Sequence, residues 1–443
     1  MDDYPKILIF GQPFNKYSGG GITLSNLFKG WPKDRIAVAS TGHVLYKVSN
    51  EICDTYYRLG KGEQRWIFPF SLVQRPFPSG PLTFSSKNDT ENTPYKLNLR
   101  RLLVDRVFYP FLHWIGLYHT LSKISLSPDF RRWLADYNPE ILYIQVTSRQ
   151  DVLFSIELCD YLQIPSVIHN MDDWPSTISK NGILREYWRK KIDREFRLLL
   201  DRVDLFLSIS DAMTEEYLRR YNKIFRAFHN PIDISKYSQL SKKSQEPEKT
   251  FRILYMGRIG LANRHSIFQF ANAISQCKIN GLRIEMDIFT YNTGTRDAKR
   301  IRKLSNVKIS PSVKHDLIPS LLTKYDLLLL PLDFTKAGFK YAKYSLPTKA
   351  SEYMISGTPV LVFAPKETAI SKFCADKECG YCLTEQSDEK IVEALDFLIS
   401  NEDYRKKLSS NAVRLATRLF DADKVRTEFQ QLLIDMTKRK NYV

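Results

Sequence analysis

The sequence predicts an α/β protein made of two doubly wound, parallel-sheet domains that face a central cleft. Its 443 residues exceed what one hydrophobic core normally organises. Apolar runs of strand length alternate with helical patterns, which is typical of βα units and a parallel sheet. The alternation stops at a polar, charged segment, residues 240–250, and then begins again. This segment is the predicted linker, so residues 1–240 and 250–420 form the two predicted domains.

The strands of both domains are predicted from their apolar runs. In the first domain these runs are KILIF from Lys6, RIAVAS from Arg35, ILYIQV from Ile141, PSVIH from Pro165 and LFLSIS from Leu205. In the second domain they are FRILYMG from Phe251, RIEMDIF from Arg283, VKIS from Val307, DLLLLPL from Asp326 and PVLVFA from Pro359. Ligands of such sheets bind outside the carboxyl ends of the strands, so the residues after each run are candidates for a site.

Residues 53–128 lose the alternation and are aromatic, basic and interrupted by prolines, most clearly over 66–128. Two interpretations are open. The region can be ordinary domain core, and aromatic content alone more often indicates core than membrane. It can also be an insertion that shapes an acceptor pocket, or that lies on a membrane with its Arg and Lys on anionic headgroups and its aromatics at the interface.

The formal charge of the chain is +17, from 66 Lys and Arg against 49 Asp and Glu. Such a charge attracts polyanions, anionic phospholipid or a diphosphate ligand. The basic residues are dispersed, and their short groups are typical of solvated helix faces. Nucleic acid is therefore not an expected partner.

The chain has the features of a cytoplasmic protein. Acidic residues at its start run straight into a strand, without the basic and apolar regions of a secretory signal. The longest apolar stretch, residues 107–118, contains Pro110 and His113 and is too short to span a membrane. The six cysteines are therefore expected to be reduced thiols. Three that are close in sequence lack a fourth metal ligand nearby: Cys374, Cys379 and Cys382.

A glycine-rich loop follows the first predicted strand. Gly19, Gly20 and Gly21 stand directly before a helix that is predicted to begin near Ile22. Glycine lets the backbone approach a ligand closely, and the first N–H groups of a helix can bind an anion. The spacing is not GxGxxG, so a nicotinamide cofactor is not predicted. A plain flexible turn is the alternative.

The run PSVIH ends in HNMDDWP, which places several polar side chains at the carboxyl end of a strand. His169 can hydrogen-bond a sugar hydroxyl or a reacting group, and an aspartate here could steady it. Asn170 and Asp172 are candidates for the acceptor side. The alternative is a structural histidine with a capping aspartate. The adjacent Asp172 and Asp173 are not assigned a metal ion, and no metal is expected.

Arg258 and Arg264 follow the run FRILYMG, near the start of the next helical pattern. Two guanidinium groups in a cleft would offset the charge that grows on a leaving diphosphate. Solvated surface arginines are the alternative.

The segment KYSLPTKASEYMISGTPVLVFAPKET, from Lys343, is the most informative part of the sequence. Pro347 can start a helix over residues 348–355, and Gly357 can cap its end. The N-terminus of this helix can accept phosphate. Glu352, one turn in, can accept hydrogen bonds from both hydroxyls of a ribose. A glutamate on a short helix is usually exposed and idle, but this one stands before a buried strand.

These motifs resemble the GT-B glycosyltransferases, most closely the retaining enzymes of family 4, over nearly the whole chain. The resemblance rests on the glycine loop, the histidine after the fourth strand, SISDAMTEEYLRRY followed by HNPIDISKY, the YMGR that opens the second domain, and LPTKASEYMISGTPVLV. It implies two Rossmann-like domains, the first for the acceptor and the second for the donor. It also implies a final amphipathic helix, about residues 422–443, that crosses back to the first domain.

The resemblance implies a role for each candidate residue. Glu352 would bind the nucleotide ribose, and Tyr344 takes the place of the family's usual first glutamate, which meets sugar hydroxyls. Val313 would line the base, and His169 would approach the donor sugar. The groups implied to contact the diphosphate are Arg258, Arg264, Gly20, Gly21 and the backbone N–H groups near Pro347, Thr348 and Lys349.

The resulting hypothesis is a retaining glycosyltransferase that uses a nucleotide-sugar donor, without a metal or other cofactor, and a glycan or lipid-linked acceptor. Its product would be a surface polysaccharide, a lipopolysaccharide or a related glycoconjugate. It would work in the cytoplasm or peripherally on the cytoplasmic face of an anionic membrane. Two alternatives stay open: a nucleotide-sugar epimerase of the GT-B fold, and a non-enzymatic protein that binds polyanions or a membrane surface.

Overall fold

The computed structural model describes residues 4–42, 44–45, 48–72, 74, 77–82, 103–178, 182–238, 249–275 and 277–440. The chain divides into two units, Met1–Phe228 together with Arg426–Val443, and His229–Val425. The predicted linker, residues 240–250, lies mostly outside the described residues.

The first unit contains an eight-stranded sheet and a separate two-stranded sheet. The strands are β1 (Ile7–Phe10), β2 (Ile36–Thr41), β3 (Thr55–Leu59), β4 (Gln64–Trp66), β5 (Gly80–Leu82), β6 (Ser122–Ile124), β7 (Ile141–Ile144), β8 (Ser166–Asn170), β9 (Leu205–Ser208) and β10 (Arg226–Ala227). The order in the sheet is β10-β9-β8-β7-β1-β2-β3-β5, and β4 pairs with β6. Only the β3–β5 pair of the sheet is antiparallel. The order runs outward from β1 in both directions, as in a doubly wound sheet.

Helices connect the strands of the first unit. They are Gly19–Leu27, Tyr109–Ile115, Pro128–Tyr137, Arg149–Leu162, Trp174–Thr177, Arg185–Leu200 and Asp211–Tyr221. A π-helical turn, Val104–Phe108, leads into the second of these helices. Every residue of the central strands β1 and β7 is buried, which explains why both read as continuous apolar runs.

The last helix of the chain, Ala422–Lys440, supplies part of the first unit's core. Its Phe429 is fully buried, and the ring lies 5.2 Å from that of Phe28 and 5.4 Å from that of Phe228, centroid to centroid. Both contacts are edge-to-face, the geometry that aromatic pairs prefer. The first unit is therefore assembled from both ends of the chain.

The second unit contains a seven-stranded sheet. Its strands are β11 (Thr250–Met256), β12 (Lys278–Ile279), β13 (Leu282–Thr290), β14 (Val307–Pro311), β15 (Leu327–Pro331), β16 (Val360–Phe363) and β17 (Tyr381–Leu383). The order is β12-β13-β11-β15-β16-β17, with β14 also paired to β13, and only β12 is antiparallel. The helices are Ser235–Ser238, Arg264–Ile274, Arg296–Ile301, Ile318–Leu322, Lys336–Ala342, Thr348–Ile355, Ala369–Asp376, Asp388–Ser400 and Glu402–Leu419.

The predicted α/β class with doubly wound, Rossmann-like sheets is confirmed in both units. Each apolar run named from the sequence forms a strand. Seven strands were not indicated by the sequence. Six of them have only two or three residues: β4, β5, β6, β10, β12 and β17. The seventh, β3, has five residues and pairs with both β2 and β5.

The described parts of residues 53–128 hold both buried and exposed aromatic side chains. Tyr56 and Tyr57 of β3 are buried in the core of the first unit, whereas Phe68, Phe111 and Trp114 are exposed. None of the described helices is both long enough and apolar enough to cross a membrane.

Candidate active site

The loop after β11 presents the first of the predicted arginines. Gly257 turns the chain with a φ of +149°, a conformation that side-chain-bearing residues rarely adopt. The Tyr255 hydroxyl donates to the carbonyl oxygen of Arg258 at 2.9 Å, and Asn263 Nδ2 donates to the same oxygen at 3.1 Å. These bonds fix the backbone of Arg258 while its side chain stays exposed.

Arg264 is the first residue of the helix Arg264–Ile274 and is also exposed. Its Nε lies 3.2 Å from Nε2 of His265. Among the described residues, neither Arg258 nor Arg264 forms an ion pair with a carboxylate. Both guanidinium groups can therefore meet an incoming anion without first breaking a salt bridge.

The start of this helix is held from within by Asp333, a residue that the sequence did not single out. Its carboxylate accepts a hydrogen bond from the backbone N–H of Ser266 at 2.8 Å. Asp333 is fully buried, and burial raises the pKa of its carboxyl group. Because Asp333 already occupies one of the first helical N–H groups, an anion here would be bound mainly by the arginine side chains.

The helix Thr348–Ile355 has the bounds that the sequence predicts. Pro347 is its N-cap and carries no N–H group, so the nearest backbone donors are those of Thr348 and Lys349. The N-terminus has no side-chain cap and no acidic residue in its first turn, which leaves it suited to an anion. Gly357 ends the helix with a φ of +74°.

Glu352 is buried, at 5% exposure, which excludes the idle surface glutamate. Its Oε2 accepts a hydrogen bond from Nζ of Lys349 at 2.7 Å, and its Oε1 lies 3.8 Å from Nδ1 of His315. The sequence did not indicate His315, although it closely follows the candidate Val313. Val313 packs partly buried against the core of the second unit. Tyr344 is half-buried, with Nζ of Lys343 4.7 Å from its ring centre.

One hydrogen bond ties the two predicted donor-site segments together. The Tyr353 hydroxyl accepts from the backbone N–H of Met256 at 2.7 Å. Tyr353 directly follows Glu352, and Met256 is the last residue of β11, shortly before Arg258. The structure therefore holds the glutamate-bearing helix against the strand end that presents the arginine.

The glycine-rich loop differs from its prediction, because the helix begins at Gly19 and not near Ile22. Gly20 and Gly21 thus lie in its first turn. The Ser18 hydroxyl caps the helix by accepting from the Gly21 N–H at 3.1 Å. A Cβ atom at Gly21 would stand 2.3 Å from Nδ2 of Asn15, so a larger residue there would force the buried Asn15 side chain to move.

His169 and Asn170 end β8 and are both buried. The hydroxyl of Tyr143, on the neighbouring strand β7, lies 2.5 Å from Nδ1 of His169. Burial lowers the pKa of His169 to about 3, so its imidazole is neutral at physiological pH. His169 Nε2 and both polar atoms of the Asn170 side chain are buried and have no hydrogen-bond partner among the described residues. Such groups are costly to leave unpaired, which points to a ligand or water at this strand end.

The two adjacent aspartates play different structural parts. Asp173 is buried and is bound by Arg220 at 2.9 and 3.2 Å, and by the Tyr217 hydroxyl at 3.1 Å. Asp172 is exposed. Asp173 therefore belongs to the framework of the first unit, and only Asp172 faces solvent.

The cysteines close in sequence are unpaired thiols. Cys374 and Cys379 are buried, and their mutual hydrogen bond together with burial holds the pKa of Cys374 well above its ordinary value. Burial raises the pKa of Cys382 to about 12. Protonated, buried thiols are poor metal ligands. Within the described ranges, no group of at least three His, Cys, Asp or Glu is arranged to hold a metal ion.

Comparison with known proteins gives one family match. Residues 237–414 match the family model described as glycosyl transferases group 1. This range contains every candidate of the second unit, from Arg258 to Glu352. No curated protein matches the chain by sequence.

Solved structures resemble the whole chain. HepE of Anabaena, in complex with UDP and glucose, has a TM-score of 0.60 at 15% identity, covering 97% of this chain and 99% of that one. Sucrose-phosphate synthase of Thermosynechococcus elongatus has a TM-score of 0.62 at 13% identity, covering 98% and 99%. WaaG, a glycosyltransferase involved in lipopolysaccharide biosynthesis, has a TM-score of 0.56 at 12% identity, covering 96% and 99%. At these identities the similarity shows a shared fold, the GT-B fold.

Proposed function

We propose that this chain, whose residues 237–414 match the glycosyl transferases group 1 family model, is a glycosyltransferase that transfers a sugar from a nucleotide-sugar to a glycan or lipid-linked acceptor with retention of configuration. The observation that carries the proposal is the buried carboxylate of Glu352, on a helix that is bonded to the end of the arginine-bearing strand. HepE, which shares the fold, is described in complex with UDP and glucose, and this favours a uridine nucleotide as donor.

Glu352 is proposed to bind the ribose of the donor. Its carboxylate is already removed from water, so hydrogen bonds from the two ribose hydroxyls are stronger than they would be on a surface. Lys349, whose ammonium now pairs with Glu352 at 2.7 Å, is placed to turn toward a diphosphate at the same helix N-terminus. Val313 and Tyr344 are proposed to line the base and the sugar.

Arg258 and Arg264 are proposed to stabilise the departing diphosphate. In a retaining, front-face reaction the bond from the sugar C1 to the phosphate oxygen breaks, and the acceptor oxygen bonds to C1 on the same face. The acceptor's proton passes to the departing phosphate oxygen. Negative charge grows on the diphosphate during this step, and two guanidinium groups without carboxylate partners can offset it. We propose on this basis that no metal ion is required.

The first unit is proposed to contribute contacts to the sugar and the acceptor. A neutral His169 that accepts a hydrogen bond from Tyr143 at Nδ1 carries its hydrogen on Nε2, and can donate it to a sugar hydroxyl. Asn170 offers an unpaired donor and acceptor at the same strand end. Gly20 and Asp172 remain proposed contacts to the donor phosphate and the acceptor. The acceptor is proposed to be a surface polysaccharide or a lipopolysaccharide, in line with the involvement of WaaG in lipopolysaccharide biosynthesis.

The cytoplasm is the proposed location. All six cysteines are free thiols in the structure, as expected in a reducing compartment.

A transfer assay tests the proposal. Sugar nucleotides of UDP and GDP are incubated with lipid-linked and soluble oligosaccharides, release of nucleoside diphosphate is measured, and the product anomer is read by NMR. We expect acceptor-dependent release, a retained anomer and no loss of rate with EDTA. Arg258→Ala is expected to lower kcat by about 100-fold, because it removes charge stabilisation in the transition state. Arg252→Ala, at the opposite end of β11, should not change it.

Each outcome of this assay has a distinct meaning. An inverted product would overturn retention, and loss of activity with EDTA would overturn the metal-free step. Interconversion of the donor sugar without any acceptor would replace transfer by epimerisation. Equal rates for the Arg258 and Arg252 variants would remove Arg258 from the site.

A further inference from the structure

A helical stripe in the first unit exposes large apolar side chains. The π-helical turn Val104–Phe108 continues into the helix Tyr109–Ile115. Residues spaced at three or four positions along it are more than half exposed, at 59% for Val107, 53% for Phe111 and 54% for Trp114. A surface helix of a water-soluble protein normally turns such a stripe toward its core.

Two further segments extend this stripe. Residues 67–72 directly follow β4, and the N–H of Ile67 donates to the carbonyl of Leu121, just before β6, at 2.9 Å. The rings of Phe70 and Phe108 lie 5.6 Å apart. In this segment Phe68 is 78% exposed.

Residues 183–187 adjoin the other end of the stripe. The N–H of Ile183 donates to the carbonyl of Trp114 at 2.8 Å, and Ile183 is 68% exposed. Leu184 and Tyr187 are exposed beside it. These contacts bring together three segments with exposed apolar side chains, residues 67–72, 103–117 and 183–187, and we call these side chains the apolar surface.

Basic residues accompany the apolar surface. Arg65 and Lys123 stand directly opposite each other in the two-stranded β4–β6 sheet, and both are exposed. Like charges in such a pair are destabilising by themselves, and no carboxylate of the described chain neutralises either one. Arg106 is exposed on the stripe, and Lys190 is exposed on the helix that follows residues 183–187.

Acidic residues are few at this place. Residues 103–117 contain one acidic residue, Asp105, whose side chain lies outside the described part of the chain. Glu186, beside residues 183–185, is paired with Arg185 and Arg189 at 3.6 and 3.2 Å. The area thus combines exposed aromatic and aliphatic groups with an excess of positive charge.

We propose that the apolar surface docks on an anionic lipid bilayer. Aromatic side chains favour the boundary between headgroups and acyl chains, and lysine and arginine beside them attract anionic headgroups. A second copy of the chain fits less well, because a symmetric contact through this surface would bring the same excess of basic groups into the interface from both copies. The inference rests on the proposed function only in that a lipid-linked acceptor would be met at this surface.

Vesicle co-sedimentation tests the proposal with the full chain. The vesicles contain phosphatidylcholine with or without phosphatidylglycerol, and no sugar nucleotide is present. We expect binding to the anionic vesicles only, weakened by salt. The double variant Phe111→Ser/Trp114→Ser should bind at least about tenfold more weakly, because two aromatic groups no longer leave water. Arg65→Gln/Lys123→Gln should also weaken binding.

Controls separate docking from folding and from catalysis. Ile224→Ser alters a residue that is 81% exposed elsewhere in the first unit and should leave vesicle binding unchanged. The Phe111 and Trp114 positions lie outside the proposed donor site, so their variants should retain UDP binding.

Absent vesicle binding, or equal binding by the double variant and the parent, would overturn the proposal. A dimer in light scattering that the double variant abolishes would replace the bilayer by a second copy. Vesicle binding without any nucleotide binding would leave docking intact and refute only the proposed function.

Discussion

Acid should destabilise the first unit through two buried histidines. Burial lowers the pKa of His169 from 6.5 to about 3 and that of His119 from 6.5 to about 4. Below the unfolded value of 6.5, the unfolded chain binds protons that the folded unit does not bind. The stabilisation that comes from keeping these histidines neutral is therefore fully present above pH 6.5 and is lost as the pH falls toward 3 or 4. At pH 5, which lies about 1.5 units below the pKa of the unfolded chain, the free energy of unfolding is lower by about 2 kcal/mol for each histidine, or by about 4 kcal/mol for both.

Tryptophan fluorescence reads this effect on the first unit alone. All six tryptophans lie between residues 31 and 188, within the first unit. Urea unfolding at pH 7 and pH 5 gives the free energy of unfolding of that unit at each pH. His169→Asn should reduce the difference between the two values by about 2 kcal/mol, whatever it costs at pH 7. His265→Asn, at an exposed position, should not reduce it. If His169→Asn kept the full difference, the neutral, buried imidazole would be refuted.

Three further substitutions probe the framework and the donor site. Asp173→Asn leaves Arg220 without its buried partner and should lower the free energy of unfolding of the first unit by about 3 kcal/mol; a change below about 0.5 kcal/mol in urea unfolding would contradict the pairing. Tyr353→Phe leaves the Met256 N–H unpaired and should destabilise the second unit by about 1–3 kcal/mol, which calorimetry would show as a lower melting temperature. An unchanged melting temperature would argue against this bond. Arg258→Lys keeps the charge but loses the fork of donors, so kcat should fall while the melting temperature stays constant; parental kcat would show that a point charge suffices.

The sequence located the strands of both sheets where burial on two faces makes a strand continuously apolar. ILYIQV and DLLLLPL are of this kind, and both became central strands. Strand β3 was missed because its TYYRL mixes polar and charged residues with buried tyrosines. The two-stranded β4–β6 sheet was missed because its strands are short and far apart in sequence. Neither leaves a periodic signal.

The helix that carries Glu352 could be predicted because Pro347 and Gly357 mark its ends locally. The start of the glycine-rich helix is marked by its N-cap Ser18, but the three glycines that follow have low helix propensity and indicate a loop instead.

Contacts between residues that are distant in sequence could not be predicted either. His169 meets Tyr143 through the pairing of β8 with β7, and Glu352 lies near His315 because a loop after β14 passes it. The pairing that distinguishes Asp173 from Asp172 comes from Arg220, on a later helix. A sequence motif names the residue at a strand end, but the neighbours that set its ionisation and its orientation are supplied by the fold.

Isothermal titration of UDP and UDP-glucose into the chain tests the central claim most directly. The account predicts saturable binding at one site, about 10–100-fold weaker in Glu352→Gln because charged hydrogen bonds to the ribose are lost. Glu393→Gln, on an exposed helix face, should bind like the parent. Equal affinities for the parent and Glu352→Gln, or no heat with any nucleoside diphosphate, would contradict it.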